Sequence, residues 1–170
     1  MRRRAAHGGA LAAFALALAP AGLAHAGSPT MGVLGRFVGD WTVTGVTRGV
    51  PTLTGAQVRS QFGGAFLEMH IRDPSGRSPY EARVFFGQDA AGALVVNWLD
   101  GTGGATSRTL GSGTIKGDHI TLTFPYPGSE FRDRLDYDRA TDRWRLVIEM
   151  GPRDHPQPFS DWTFDRVASR

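Results

Sequence analysis

The sequence predicts an all-β fold, an antiparallel up-and-down β-barrel of about ten strands with a short N-terminal helix that caps one end. From Trp41 onward, apolar residues recur at every second position, which is the period of a strand with one buried face. Gly, Pro, Asp and Ser interrupt these runs at hairpin spacing. A sandwich has the same signature, but a closed barrel leaves no exposed edge strand in a chain that contains no Cys. We therefore favour the barrel.

The N-terminal segment, residues 1–26, is predicted to be a secretory signal peptide. Arginines occupy positions 2–4, an apolar run covers 10–19, and the segment ends in Ala24-His25-Ala26. Its removal after Ala26 leaves 144 residues, and the 19 basic residues of the chain fall to 16 against 16 acidic ones. We expect a periplasmic or secreted protein whose mature form carries no net charge.

Composition excludes several classes of function from the mature chain, residues 27–170. A neutral domain lacks the basic surface that nucleic-acid binding requires, so no nucleic-acid partner is predicted. No second long apolar run occurs, so no membrane span is predicted. Without Cys there are no disulfides, thiolate metal sites or cysteine nucleophiles. The prediction is a single exported β-barrel domain, and the sequence leaves its oligomeric state open.

The elements follow in chain order from the apolar pattern. Val33, Leu34 and Phe37 share one face of one or two helical turns, which predicts the capping helix. Ten alternating runs follow it and predict the strands. Their expected bounds are residues 41–48, 57–62, 67–72, 80–86, 94–98, 106–111, 119–124, 131–137, 143–150 and 159–167.

Charge complementarity suggests the register of the hairpin that joins the third and fourth predicted strands. Pairing Met69 with Ala82 places His70 beside Glu81. A His beside a carboxylate can act as a general base, so this pair is the first catalytic candidate if it faces the barrel interior. The opposite face of both strands is strongly apolar, which favours an outward charge ladder instead. The polar cluster of this hairpin consists of Glu68, His70, Glu81 and Arg83.

A second hairpin has a self-consistent register, and a third is predicted from its apolar residues. Pairing Leu135 with Leu146 sets Asp136 beside Arg145, so that opposite charges meet on one face. The apolar residues at 84–86 likewise face those at 94–98 across a short turn. These pairings predict antiparallel neighbours that follow each other in sequence.

Gly39-Asp40-Trp41 follows the predicted helix and opens the first strand, and Arg166 lies near the end of the last strand. This arrangement resembles the calycins, lipocalin-like β-barrels in which a terminal-strand Arg lies over the Trp of a G-x-W motif. The resemblance implies that Arg166 stacks on Trp41 through a cation–π contact and closes the barrel, with Phe37 covering the same end. The chain also resembles an exported bacterial family of lipocalin-like domains of unknown function through residues 37–41, 63–67, 80–86 and the last strand.

Large apolar side chains dominate the predicted inner face. A barrel of about ten strands is wider than the roughly eight-stranded barrels whose interior is filled by side chains. Some cavity is therefore expected, although simple core packing is the alternative role for these residues. The candidate ligand-lining residues are Met69, Tyr80, Val84, Trp98, Phe124, Tyr137, Trp144 and Met150.

No metal or cofactor site is predicted. His70, His119 and His155 lack a metal-binding spacing, and the four Asp residues from Asp133 to Asp142 are interpreted as hairpin residues rather than as a calcium loop. Haem-binding barrels related to the calycins carry a proximal His near the C-terminal end, and His155 is the nearest match. It lies in a Pro-flanked loop instead of the last strand, which argues against haem.

Three functions remain open from the sequence. The leading hypothesis is an exported barrel that binds an apolar or amphipathic small molecule. An enzyme would require a polar constellation inside the barrel, such as His70 with Glu81. A structural or interaction module would require a filled core and an exposed apolar patch. The barrel interior therefore discriminates between the three.

Overall fold

The structure, a computed structural model, describes residues 31–168 and confirms the all-β fold. The predicted signal peptide lies outside the described residues. A 3-10 helix (Gly32–Phe37) precedes the first strand, and a 3-10 turn (Phe62–Gly64) follows the second. The strands are β1 (Gly39–Thr47), β2 (Val50–Gln61), β3 (Phe66–Arg72), β4 (Glu81–Gln88), β5 (Leu94–Asp100), β6 (Leu110–Lys116), β7 (His119–Tyr126), β8 (Ser129–Asp138), β9 (Arg143–Gly151) and β10 (Gln157–Arg166).

The ten strands form one closed antiparallel barrel. Each strand pairs with its neighbours in sequence, and β1 pairs with β10 from Trp41 opposite Arg166 to Thr47 opposite Ser160. The sheet therefore has no free edge, which is the advantage expected of a barrel over a sandwich. No helix within residues 31–168 has the length and the hydropathy needed to cross a membrane.

Alternation of side chains along each strand builds the core. On β9, Trp144, Leu146 and Ile148 are buried, whereas Arg143 and Arg145 are exposed. This follows from the pleat, because successive side chains of a strand point to opposite faces of the sheet. The inward residues of the strands, together with the apolar face of the N-terminal helix, form one continuous core.

The register of two hairpins is confirmed. Leu135 pairs with Leu146 across β8 and β9, and Asp136 lies opposite Arg145. The pairing of β4 with β5 also holds, with apolar inward residues facing each other. The short turns of these hairpins and their apolar patterns both favour the same register.

The predicted register of β3 with β4 is wrong by two residues. Met69 pairs with Val84 instead of Ala82. The predicted ladder would have included Pro79, which has no N–H to donate, and the observed strand begins only at Glu81. Because side chains alternate with a period of two, this shift leaves each residue on its predicted face.

Two strands have bounds that differ from the predicted ones by more than two residues. β2 begins at Val50 rather than at residue 57, and β6 spans Leu110–Lys116 rather than 106–111. Glycines at 111 and 113 weaken the strand pattern in the sequence. In the structure, Gly113 lies against the backbone oxygen of Thr121, where a Cβ would collide. A glycine inside a strand here marks a close approach of two backbones.

Candidate functional site

The barrel is closed by aromatic side chains at the end that carries the N-terminal helix. The ring centroid of Phe37 lies 5.6 Å from that of Trp41 and 4.8 Å from that of Trp144. Phe164 packs edge-on against Phe37 at 5.3 Å. None of these four residues is more than 2% exposed. We call this part of the barrel the closed end.

Arg166 lies over Trp41 at the closed end, which is the arrangement that the calycin resemblance implies. Its guanidinium carbon is 4.1 Å from the ring centroid of Trp41. The same guanidinium donates hydrogen bonds to the carbonyl oxygens of Arg36 at 2.8 Å and Val38 at 2.9 Å. A Cβ on Gly39 would collide with Nη1 of Arg166, so this glycine makes room for the contact. Arg166 thus ties the last strand to the helix and to the start of the first strand.

At the opposite end, aromatic residues that pack on the core stay partly exposed. Trp98 lies across from Val84, which is fully buried, and yet Trp98 itself is partly exposed. Trp144, its counterpart at the closed end, is 1% exposed. We call this second part the open end. Its partly exposed residues are Tyr80, Trp98, Tyr126, Phe131, Met150 and Phe159.

The aromatic side chains of the open end contact one another edge-on. The ring of Phe131 lies 5.6 Å from that of Tyr126 and 5.1 Å from that of Phe159, between centroids. The indole Nε1 of Trp98 donates a hydrogen bond of 3.3 Å to the phenol oxygen of Tyr80. Such a group combines large apolar ring surfaces with a few polar atoms, as binding sites for small molecules do.

One carboxyl group is buried among apolar residues of the interior. Asp133 lies on β8 opposite Leu122 of β7 and Ile148 of β9, both of which are buried. Asp133 is 4% exposed, and its Oδ1 has no hydrogen-bond partner within the described residues. Burial disfavours the charged form and raises the pKa of Asp133 to about 8. The interior therefore contains an acidic group that titrates close to neutral pH.

The charge of Asp133 acts on the open end. Burial is the largest cause that raises the pKa of the phenols of Tyr80 and Tyr126. The negative charges of Asp100 and Asp133 raise both pKa values further. Asp100 ends β5 and accepts a hydrogen bond of 2.9 Å from the backbone N–H of Thr102. The carboxylate of Asp133 is therefore close enough to the phenols of Tyr80 and Tyr126 to affect their pKa values.

Four of the predicted ligand-lining residues lie at or next to the open end. Tyr80, Trp98 and Met150 are partly exposed there. Phe124 is buried, with its ring 6.5 Å from that of Trp98. The structure brings these residues together from β5, β7 and β9 and the segment before β4.

The other four predicted lining residues lie elsewhere. Met69 and Val84 pair with each other in the fully buried middle of the barrel. Tyr137 and Trp144 pack at the closed end with their rings 4.9 Å apart, and the Tyr137 hydroxyl donates to Asp142 at 3.0 Å. The rings of Tyr137 and Trp144 therefore pack in the closed end of the barrel and do not line the open end.

The polar cluster of Glu68, His70, Glu81 and Arg83 lies on the outer face of β3 and β4. Nε2 of His70 is 2.6 Å from Oε1 of Glu81, and this hydrogen bond is the main cause that lowers the pKa of Glu81. Arg83 donates to Glu68 on the same face. Cross-strand diagonals make both contacts in spite of the shifted register. The inward-facing His70–Glu81 pair that an enzyme would require is not formed.

The remaining histidines of the described chain also lie outside the barrel. His119 is exposed and bonds Asp136 at 2.7 Å, and the side chain of His155 is 81% exposed in the loop after β9. Over residues 31–168, no three His, Asp or Glu side chains are grouped to hold a metal ion.

The interpretation of Asp133 as a hairpin residue is wrong. Unlike Asp138 and Asp142, it lies in the middle of β8 and points inward. The sequence already indicates that Asp133 faces inward, because it alternates with Phe131 and Leu135 on one face of the strand. An acidic residue on the apolar face of a predicted strand is unusual enough to indicate a functional site.

No protein-family model matches the chain, and no curated protein matches it. The ten-stranded closed barrel is compatible with a calycin-like fold. Because one fold supports many functions, the function has to be argued from the open end and from Asp133.

Proposed function

We propose that this protein is an exported β-barrel that binds an apolar or amphipathic small molecule at its open end. The observation that carries the proposal is the contrast between Trp98 and Trp144, two inward-facing tryptophans at opposite ends of the barrel. Trp98 is partly exposed at the open end, whereas Trp144 is 1% exposed beneath the helix. Because aromatic side chains cover the closed end, the partly exposed rings of the open end are the part of the inward face that a ligand could reach.

The open end has the chemistry of such a site. Its rings present apolar faces and edges that favour a ligand with an apolar body. The Tyr80 hydroxyl and the buried carboxyl of Asp133 provide polar groups that could orient a bound molecule. Export to the periplasm or the medium, proposed from the signal-peptide sequence, fits a carrier or receptor of small molecules.

The two alternatives have less support. The enzyme hypothesis depended on His70 and Glu81 inside the barrel, and that pair lies on the outer face. The interaction module required a filled core and an exposed apolar patch. Phe62 is 76% exposed beside Phe66 and offers a small patch, whereas partly exposed rings from several strands meet at the open end, which favours small-molecule binding there.

The experiment is a titration with N-phenyl-1-naphthylamine, an apolar dye that fluoresces in apolar sites and is uncharged at neutral pH. Met150 is inward-facing and partly exposed at the open end, so the larger side chain of Met150→Trp should obstruct binding there. Val147 lies on the outer face of the same strand, and Val147→Trp is the matched control. We expect Met150→Trp to weaken dye binding at least about tenfold, a change of about 1.4 kcal/mol.

Circular dichroism and thermal unfolding establish that both variants fold. Binding that is retained in Met150→Trp and lost in Val147→Trp would place the dye on the outer surface and overturn the proposal. An unchanged affinity in both variants would have the same consequence.

A further inference from the structure

The inward carboxyl group of Asp133 is unpaired. Its Oδ1 is buried and has no partner in the part of the chain that the structure describes. The flanking residues Arg132 and Arg134 point to the other face, where they pair with Glu130 and Asp136 at 2.9 Å. In the described chain, the arginines of β8 thus lie on its outer face, and the inward-facing Asp133 has no cationic side chain as a partner.

The surroundings of Asp133 make this arrangement costly for the empty protein. Leu122 and Ile148 lie beside it across the strands, and Leu135 lies next to it on the same face. A carboxyl group that enters such surroundings without a partner costs free energy even when it is neutral, and more when it is charged. A ligand that supplied the missing partner would recover this cost on binding.

The open end adds a second feature that selects for positive charge. The rings of Tyr80, Trp98, Tyr126 and Phe131 are partly exposed there, and the charge of Asp133 reaches the two phenols. Aromatic faces attract cations through their quadrupole, and the attraction strengthens where water is excluded. Once it has lost its proton, a carboxyl group behind aromatic rings therefore favours an organic cation over an anion.

We propose that the ligand of the open end is an amphipathic organic cation, whose ammonium group pairs with Asp133 and whose apolar body packs on the surrounding rings. This inference rests on the proposed function and narrows it, because a fatty acid or another apolar anion would bring its own negative charge towards Asp133.

Binding of a cation should be linked to release of one proton. With a pKa of about 8, Asp133 is mostly neutral at pH 6, and it must lose its proton to solvent before it can pair with an ammonium group. An alkylamine with a pKa near that of a lysine, about 10.4, stays charged over this range. The affinity for the cation should therefore rise about tenfold from pH 6 to 7 and about fivefold from pH 7 to 8.

Other titratable groups near this site do not account for such a slope. Leu122 and Ile148, which flank Asp133, do not titrate, and the phenols of Tyr80 and Tyr126 stay neutral because their pKa values are raised. Asp100 lies at the end of β5 and His155 in the loop after β9. Two variants serve as controls for these groups. His155→Asn removes the imidazole of the loop between β9 and β10. Asp100→Asn removes the other carboxylate whose charge raises the pKa values of the two phenols.

The experiment compares three probes of equal size by calorimetry at pH 6, 7 and 8. They are 2-(1-naphthyl)ethylamine, 2-(1-naphthyl)ethanol and 1-naphthylacetate, which carry a positive, a zero and a negative charge. In the unmodified protein we expect the amine to gain affinity with pH. It should release about one proton per molecule bound at pH 6 and about half a proton at pH 8, measured from the buffer dependence of the heat. The alcohol should show no slope, and the anion should bind most weakly at pH 8.

The variant Asp133→Asn keeps the shape of the side chain and removes its charge. It should bind the alcohol within about threefold of the unmodified protein, a difference of under about 0.7 kcal/mol. It should also lose both the pH slope and the preference for the amine. His155→Asn and Asp100→Asn should keep that slope.

The outcomes separate this inference from the proposed function. If the alcohol binds and Asp133→Asn leaves the amine affinity and its slope unchanged, the protein is a binding barrel and the cation assignment is wrong. A slope that disappears in Asp100→Asn or His155→Asn instead would also overturn it. If none of the three probes binds and the apolar dye also fails to bind, the proposed function fails, and the inference fails with it.

Discussion

Asp133 is a carboxyl residue on a strand face whose neighbouring positions are apolar or aromatic. Its neighbours on that face of β8 are Phe131, Leu135 and Tyr137, which pack in or against the core. Sequence periodicity assigns the face of each of these residues correctly. It does not give the pKa of a carboxyl on that face, because the pKa depends on which groups the other strands bring near it.

The first prediction concerns the stability of the unliganded protein between pH 5 and 8. The pKa of Asp133 is raised from 3.8 to about 8, so the folded state binds more protons than the unfolded state in this range. The free energy of unfolding should therefore fall as the pH rises, by at most about 1.4 kcal/mol per pH unit from this group. Urea unfolding followed by tryptophan fluorescence at each pH measures it.

The variants Asp133→Asn and Asp133→Leu should flatten this dependence. Asp133→Leu should also raise the free energy of unfolding at pH 8 by about 1–3 kcal/mol, because it removes the buried polar group. Asp161 on the outer face is the control, since its pKa is lowered by Arg145 and it is charged throughout the range. An equally steep fall in Asp133→Asn and in Asp161→Asn would contradict the assignment to Asp133.

At the scale of the elements, the pairing of strands follows from the sequence where turns are short and fails where glycine or proline intervenes. The β8–β9 register is fixed by a short turn and by apolar pairs such as Leu135 with Leu146. The β3–β4 register depends on a longer loop that contains Pro79, and there the prediction is wrong by two residues. Glycines in β6 obscure that strand in the sequence, because Gly113 lets β6 approach the backbone of β7 and Gly111 makes room for the ring of Phe124.

The second prediction tests the close approach in β6. A Cβ on Gly113 would collide with the backbone oxygen of Thr121 and with the side chain of Leu122, so that Gly113→Ala forces the two strands apart. We expect it to lower the free energy of unfolding by about 1–3 kcal/mol. Gly104 lies in the loop before β6, where an added Cβ would have no atom within 4 Å, and Gly104→Ala should change the free energy by less than about 0.5 kcal/mol.

Urea unfolding of the two alanine variants at one pH is sufficient for this comparison. Equal losses in Gly113→Ala and Gly104→Ala would show that the contact with Thr121 is not the cause, because Gly→Ala by itself reduces the entropy of the unfolded chain and favours the fold.

At the scale of the whole molecule, the barrel has different chemistry at its two ends. The closed end combines the N-terminal helix with Trp41, Trp144 and Phe164, and it could be predicted because the G-x-W motif and the terminal Arg mark it in the sequence. The open end has no such motif. Its partly exposed rings come from separate parts of the chain, so the sequence indicates which residues face inward but not which of them meet an entrance.

The third prediction concerns closure of the barrel by Trp41 and Arg166. Trp41 is 2% exposed, and Trp41→Ala should lower the free energy of unfolding by about 3–5 kcal/mol through the cavity it leaves. Arg166→Lys keeps the charge but loses the planar surface over the indole and the paired donors to backbone carbonyls, so it should also destabilise the fold. In a double-mutant cycle, Trp41→Ala with Arg166→Ala should cost less than the sum of the single losses by about 0.5–2 kcal/mol, which is the range of a cation–π contact.

The chain provides its own control for this cycle. The guanidinium carbon of Arg48 lies 4.8 Å from the ring centroid of Phe159 at the open end, so that Arg48→Ala removes a similar contact far from Trp41. Trp41→Ala and Arg48→Ala should therefore be additive within about 0.5 kcal/mol. Additive losses in the Arg166 cycle as well would show that Arg166 does not act through Trp41, and that its contribution comes from its hydrogen bonds to the carbonyl oxygens of Arg36 and Val38.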